Sequence, residues 1–154
     1  MGTRIIAGLA IVLTALALIP SAAHLASLPN KIDLSEEDYF LAQSLYRGWW
    51  LFSGVIIAAL ATNVWLAILL TAGNRLSSSL AAAAAALIIA SLAVFLAEIY
   101  PINRETGNWT MIPDDWEAMR AHWEYAHAVE AGIIFVALCC VTAAVLFEDG
   151  INKG

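Results

Sequence analysis

The sequence predicts an all-α integral membrane protein, a four-helix bundle with its two longer loops on one side. Of its 154 residues, 62% are hydrophobic and only 13% are charged, and the mean hydropathy is +0.79. This balance lies far outside that of a soluble domain. Four apolar stretches are long enough to cross roughly 30 Å of hydrocarbon at about 1.5 Å per residue. They cover residues 5–28, 48–73, 76–100 and 123–147.

The four spans nearly exhaust the chain, so residues 1–154 are interpreted as a single transmembrane domain whose main partner is the lipid bilayer. The net charge of −6 argues against nucleic-acid binding, which requires a basic surface. Cys139 and Cys140 are adjacent and lie within the fourth span, and neighbouring residues are poor disulfide partners. They are interpreted as small apolar side chains.

The first span follows Arg4 and ends in small residues, including Ser21 and Ala23, which resemble a signal-peptide cleavage site. The apolar run is longer than a usual signal-peptide core. We therefore expect this helix to be retained.

The connection between the first two spans contains a helix-start signal. Ser35 precedes Glu36, Glu37 and Asp38, and a serine followed by acidic residues favours a helix N-terminus. We expect a short helix that feeds directly into the second span. In the third span, the alanine run 81–86 predicts close packing on neighbouring helices, because small residues mark contact faces in membranes.

An even number of spans puts both termini and the turn at residues 73–75 on one side of the membrane. The longer connections, residues 29–47 and 101–122, share the other side. Basic residues are divided almost evenly between the sides, so the positive-inside rule decides little. The short Arg-bearing ends and the acidic long connections favour cytoplasmic termini, and a plasma-membrane location is expected.

Residues 101–128 hold two His, three Trp, two Arg, two Asn and five carboxylates directly before an apolar run. Charged side chains that enter a bilayer indicate a functional site. Arg120, Trp123, Glu124 and His127 recur at spacings of three and four residues and share one helical face. The topology places His24, near the end of the first span, at the same membrane side, whereas His122 is turned away from that face.

Glu124 and His127 form the E-x-x-H pair with which helix bundles bind metals. No second such pair exists in the sequence, so a di-iron site within one chain is not expected. His24, Glu124 and His127 make a ligand set suited to a mononuclear Fe or Cu site. His24 and His127 on facing helices are also suited to axial ligation of a b-type haem.

A site without any cofactor is the alternative. Arg120 and Glu124, at i and i+4, are spaced for an ion pair, and His127 would then donate to a backbone carbonyl, to Glu98 or to Glu130. Both interpretations remain open from the sequence.

Two sets of residues carry a resemblance to a known family. They are Asn108, Trp109, Thr110, Pro113, Trp116, Glu117, Arg120, Trp123, Glu124, His127 and Ala128 in the second half, and His24, Leu28, Pro29, Lys31, Tyr39, Gln43, Tyr46, Gly48 and Trp49 in the first. The chain resembles the anthrone-oxygenase-like family of small four-helix membrane proteins, which is largely of unknown function.

The resemblance implies an oxidation of anthrone-type polyketides to quinones with oxygen, the activity associated with some members. It implies functional roles for His24, Asn103, Trp109, Arg120, Glu124 and His127. One departure is that Ala26 and Ser27 stand where the family pattern leads us to expect an acidic residue.

Two functions follow as hypotheses. The first is a membrane-embedded oxidoreductase that acts on a lipophilic aromatic or quinone-like molecule at the loop-bearing side, within a cavity open to lipid. His24 or His127 would be the base or metal ligand, Arg120 and Asn103 would stabilise oxyanion charge, and Trp109 and Trp123 would stack on the ring. The second is a noncatalytic accessory or cofactor-binding subunit, acting as a homo-oligomer or in a larger membrane complex.

Overall fold

The computed structural model describes residues 2–148 and confirms the all-α bundle. Four helical segments are long and apolar enough to cross a membrane, and residues 2–148 contain no β-strand. The segments are Gly2–Lys31, Trp49–Leu70, Arg75–Glu105 and Trp116–Leu146.

The helical elements extend beyond the apolar stretches at the loop-bearing end. In chain order they are α1 (Gly2–Lys31), α2 (Glu36–Gln43), the 3-10 turns Ser44–Tyr46 and Trp49–Leu51, α3 (Phe52–Leu70), α4 (Arg75–Val94), α5 (Tyr100–Glu105) and α6 (Trp116–Leu146). The first helix continues through Pro29 to Lys31, and the last begins at Trp116, before the apolar stretch that starts at residue 123. Polar residues just outside the apolar stretches are therefore held on helices.

The four long helices form a closed ring of contacts. Helix α1 packs on α3 and α6, and α4 packs on the same two helices. Small residues allow this close approach: Ala81 and Ala84 are completely buried, as the alanine run predicted. Deeper in the bundle, Asn63 Nδ2 donates to Thr14 Oγ1 at 2.9 Å and joins α3 to α1.

The first connection matches its predicted start but not its end. The Ser35 hydroxyl accepts a hydrogen bond from the Asp38 backbone N–H at 3.3 Å, as expected of an N-cap. Helix α2 does not feed directly into α3, because Gly48 adopts φ +90° and turns the chain between the two 3-10 turns. Residues 44–51 therefore form a separate strap, which we call the first-loop strap.

A π-helical stretch, Phe95–Ile99, joins α4 to α5. Pro101 has no backbone N–H and its ring clashes with the carbonyl four residues earlier, so the ordinary helical pattern fails here. The Tyr100 N–H bonds instead to the carbonyl of Phe95. Beyond α5, Asn108 and Trp109 have φ values of +56° and +62°, which are costly for a bulky residue such as Trp109.

Candidate functional site

The predicted polar cluster is assembled at the loop-bearing end of the bundle, and Glu124 is its centre. The side chain of Glu124 is completely buried. Its Oε1 atom lies 2.7 Å from Lys31 Nζ, and it accepts hydrogen bonds from the Tyr39 hydroxyl at 3.0 Å and from Gln43 Nε2 at 3.4 Å. Oε2 has no hydrogen-bond partner and lies 3.9 Å from His24 Nδ1. One carboxylate thus ties α1 and α2 to α6.

Lys31 links this carboxylate to an imidazole. Its Nζ atom is 2.9 Å from His24 Nδ1 as well as 2.7 Å from Glu124 Oε1, and the residue is only 5% exposed. The ammonium group also lies 5.0 Å from the centre of the Tyr46 ring, within the range of a cation–π contact. A buried lysine is stabilised here by a carboxylate, an imidazole and an aromatic face.

His24 and His127 stack on each other across the α1–α6 interface. Their ring centroids are 4.4 Å apart with an interplanar angle of 25°. The Trp123 ring stands edge-on to both, at 4.6 and 4.3 Å, and the Tyr46 ring lies 4.2 Å from His24. His24 is 3% and His127 7% exposed. Both imidazoles are therefore buried, and the cavity open to lipid that was expected beside them stays a prediction.

The second imidazole is connected deeper into the bundle. His127 Nδ1 lies 3.1 Å from Glu130 Oε2, and Ser91 Oγ donates to Glu130 Oε1 at 3.1 Å. Glu130 is 6% exposed, so its carboxylate faces the bundle interior. Ser91 is one turn before the π-helical stretch.

The structure places Arg120 differently from the predicted ion pair with Glu124. Arg120 Nη1 donates to the Leu34 carbonyl at 2.7 Å, and the guanidinium lies over the Trp116 ring at 4.7 Å and the Tyr39 ring at 5.4 Å. Within residues 2–148, no carboxylate lies within 4.0 Å of it. The expectation of an Arg120–Glu124 ion pair was wrong, because Lys31 on α1 pairs with the Glu124 carboxylate instead.

Asn103 and Trp109 support the site from one side. Asn103 Oδ1 accepts a hydrogen bond from Trp123 Nε1 at 2.8 Å and so fixes the indole that borders the two imidazoles. Trp109 is 6% exposed and packs edge-on against Trp123 and Tyr39, with ring centroids 5.5 and 5.1 Å away. Its Nε1 atom is buried without a hydrogen-bond partner.

His122 is separate from the cluster, as predicted. It pairs with Glu98 at 2.7 Å, and the two side chains are 54% and 48% exposed. Glu98 is thus paired at the periphery.

The predicted metal site does not fit this geometry. Within residues 2–148, no group of three or more His, Cys, Asp or Glu is arranged to hold a metal ion. The Lys31 ammonium group contacts both His24 Nδ1 and Glu124 Oε1, and it fills the position at which a metal ion would have to bind these two atoms. Haem ligation does not fit either, because a porphyrin would have to lie between two imidazoles that are already in contact.

Sequence reasoning missed Lys31, Tyr39 and Gln43 as members of the cluster. Lys31 lies seven residues after His24, a spacing of two helical turns that places both on one face. That spacing was a usable signal, but it required α1 to continue through Pro29. Tyr39 and Gln43 lie one turn apart on α2, and both point at Glu124.

The buried environment changes the pKa of Tyr39. Burial raises the pKa of its phenol well above the ordinary value of 10.0, and the neighbouring Glu124 carboxylate raises it further. Its hydroxyl therefore remains a neutral donor to Glu124 at physiological pH.

Comparison of the chain with protein-family models, with curated proteins and with solved structures gives no match. The resemblance to the anthrone-oxygenase-like family therefore rests on the sequence motifs alone.

Proposed function

We propose that this protein is a membrane-embedded oxidoreductase that oxidises a lipophilic aromatic or quinone-like molecule with dioxygen. The observation that carries the proposal is the stacked pair of imidazoles in an aromatic enclosure. Among residues 2–148, no group hydrogen bonds to Nε2 of His24 or of His127, although both side chains are more than nine-tenths buried. These two nitrogens are therefore available to a ligand.

The chemistry that suits this pair begins with proton abstraction. A CH₂ group that is flanked by aromatic rings and conjugated with a carbonyl gives its proton to one imidazole and becomes an enolate. The enolate passes electrons to dioxygen and forms a C–O bond, and the imidazolium returns its proton to give a hydroperoxide. Loss of water then leaves a carbonyl, so that CH₂ and O₂ become C=O and H₂O.

His127 is the better candidate for the base. Its Nδ1 atom faces the Glu130 carboxylate, which stabilises the imidazolium that forms when Nε2 accepts a proton. The faces of Trp123 and Tyr46 suit a flat ring, since aromatic groups pair edge-to-face or offset. Arg120 and Asn103 support this function as positioning residues, by holding Leu34 and Trp123.

Access to the pair would pass through the first-loop strap. Tyr46 and Trp49 cover His24, while the neighbouring Leu45, Trp50 and Leu51 are 76%, 75% and 64% exposed. Exposed apolar side chains at this level of the bundle suit contact with lipid. We propose that a lipophilic substrate enters from the bilayer by displacing this strap.

The test uses the full chain in lipid nanodiscs with anthrone and ¹⁸O₂, with protein-free nanodiscs to measure spontaneous oxidation. The expected result is protein-dependent formation of the quinone with one ¹⁸O atom in its new carbonyl. Oxidation no faster than in the protein-free sample would contradict the activity for this substrate class.

A noncatalytic accessory subunit is the second candidate. It is favoured by the number of polar groups that are satisfied within the chain, including Glu124 Oε1, Arg120 Nη1 and Asn103 Oδ1. Purification in mild detergent distinguishes the two, because a subunit would retain a stoichiometric partner. A monodisperse active chain, whether monomer or homo-oligomer, would support the enzyme.

We further propose that the protein resides in the plasma membrane with cytoplasmic termini. The acidic connections support this orientation, because long acidic loops are commonly translocated. A reporter fused to the carboxy terminus of the full chain tests it: activity of a cytoplasm-dependent reporter is expected, and activity of a reporter that folds only outside the cytoplasm would reverse the orientation.

A further inference from the structure

We infer that Lys31 and Glu130 are positioning residues that fix opposite tautomers of the stacked imidazoles, so that the pair offers a bound molecule one N–H donor and one lone pair. The inference rests on the proposed function for its consequence in catalysis. The tautomers themselves follow from the contacts of the free protein.

The tautomer of His24 is set by Lys31. A lysine ammonium has three hydrogen-bond donors and no acceptor. Because Nζ is 2.9 Å from His24 Nδ1 and 2.7 Å from Glu124 Oε1, it donates to both. His24 Nδ1 must then carry a lone pair, and the proton of the neutral ring resides on Nε2. His24 presents an N–H donor at its free nitrogen.

The tautomer of His127 is set in the opposite sense. Its Nδ1 atom lies 3.1 Å from Glu130 Oε2, and a carboxylate oxygen only accepts. Ser91 Oγ donates to the other oxygen of Glu130, which keeps the carboxylate oriented. The contact does not meet the geometry of a hydrogen bond, but a proton on His127 Nδ1 makes it attractive, whereas a lone pair there would repel the carboxylate. The neutral ring then has its lone pair on Nε2.

The stacking brings these opposite functions together. The ring centroids are 4.4 Å apart and the rings are tilted by only 25°, so a molecule that contacts one imidazole lies next to the other. The carbonyl oxygen of the substrate would accept from His24 while a proton of the conjugated CH₂ group is taken by His127. Lys31 and Glu130 do not touch the ligand in this arrangement, and they act through the imidazoles.

The experiment is ¹⁵N nuclear magnetic resonance of histidine-labelled full-length protein at mildly alkaline pH. The chain has only three histidines, and His122→Gln removes the exposed one without touching the pair. We expect two different tautomers, with the N–H of His24 on Nε2 and that of His127 on Nδ1. The same tautomer in both rings would overturn the inference without any variant.

Matched variants assign each tautomer to its cause. Lys31→Met should abolish the single tautomer of His24, whereas Lys31→Arg, which keeps donors, should preserve it. Glu130→Leu should abolish the single tautomer of His127, whereas Glu130→Gln, which keeps an acceptor oxygen, should preserve it. Unchanged histidine resonances in a folded Lys31→Met protein would contradict the role of Lys31.

Activity separates this inference from the proposed function. If the wild-type protein oxidises no substrate but shows the two tautomers, the positioning is upheld and the oxidoreductase proposal fails. If it oxidises anthrone with both rings in one tautomer, the activity is upheld and the positioning fails.

Discussion

Lys31 Nζ lies 2.7 Å from Glu124 Oε1, and this buried contact joins the last residue of α1 to the third turn of α6. Lys31 is 5% exposed and Glu124 is completely buried. Glu124 Oε1 also accepts hydrogen bonds from Tyr39 and Gln43, and such additional bonds offset part of the cost of burying an ion pair. It is therefore the anchor of the loop-bearing end.

Lys31→Met is expected to lower the free energy of unfolding by about 3–5 kcal/mol, because it leaves a carboxylate buried without its counter-ion. Thermal unfolding in detergent micelles measures the change. Arg75→Met is the control, since Arg75 is exposed and its loss should cost about 0.5 kcal/mol or less. Equal destabilisation by the two substitutions would contradict the importance of the buried pair.

A second substitution should repair part of this loss. Glu124→Gln added to Lys31→Met removes the uncompensated charge, so the double variant should be more stable than Lys31→Met alone. Additive destabilisation in this double-mutant cycle would mean that the two groups do not interact.

Tyr39 predicts a dependence of stability on alkaline pH. The pKa of Tyr39 in the folded state is raised above 10.0, whereas in the unfolded chain the phenol ionises near that value. The contribution of Tyr39 to the free energy of unfolding is therefore fully present below pH 10 and is lost as the pH rises towards the folded-state pKa. Above about pH 10, wild type should lose stability more steeply than Tyr39→Phe. Tyr125→Phe, at a 57% exposed residue, should follow wild type. Parallel curves for wild type and Tyr39→Phe would show that Tyr39 titrates normally.

The enclosure of the imidazoles predicts selective protection from chemical modification. Diethylpyrocarbonate followed by mass spectrometry should label the exposed His122 rapidly and His24 and His127 slowly. Tyr46→Ala removes the ring 4.2 Å from His24 and should accelerate labelling of that residue. Labelling of all three histidines at one rate in wild type would contradict the closed site.

The geometry also predicts that chelators will not change the activity. Lys31 fills the position between His24 and Glu124 that a metal ion would need. Elemental analysis should find no iron or copper that is retained in wild type and lost in His24→Ala. A stoichiometric metal that disappears with His24 would show that Lys31 can be displaced.

The four spans were predictable because hydropathy over about 20 residues depends only on composition. The start of α2 was predictable because Ser35 caps the helix through a local bond. The gathering of His24, Glu124 and His127 at one end followed from topology alone. In each case the signal lies within one segment or in the order of segments.

The pairing within the site was not predictable in the same way. Spacing showed that Arg120 can reach Glu124, but not that Lys31 competes for the same carboxylate from across the bundle. The left-handed backbone at Trp109 likewise depends on tertiary contacts, since its indole packs against Tyr39 and Trp123. Such contacts between distant segments leave no periodic trace in a single sequence.

The rate of oxygen uptake with anthrone, compared between His127→Gln and His122→Gln in nanodiscs, tests the central claim most directly. General base catalysis contributes about 10²–10⁴-fold. After subtraction of the protein-free rate, oxygen uptake by His127→Gln should therefore be about 100-fold or more slower than that of wild type, while His122→Gln retains wild-type activity. Wild-type oxygen uptake by a folded His127→Gln protein would contradict the account of the stacked imidazoles as the reactive centre.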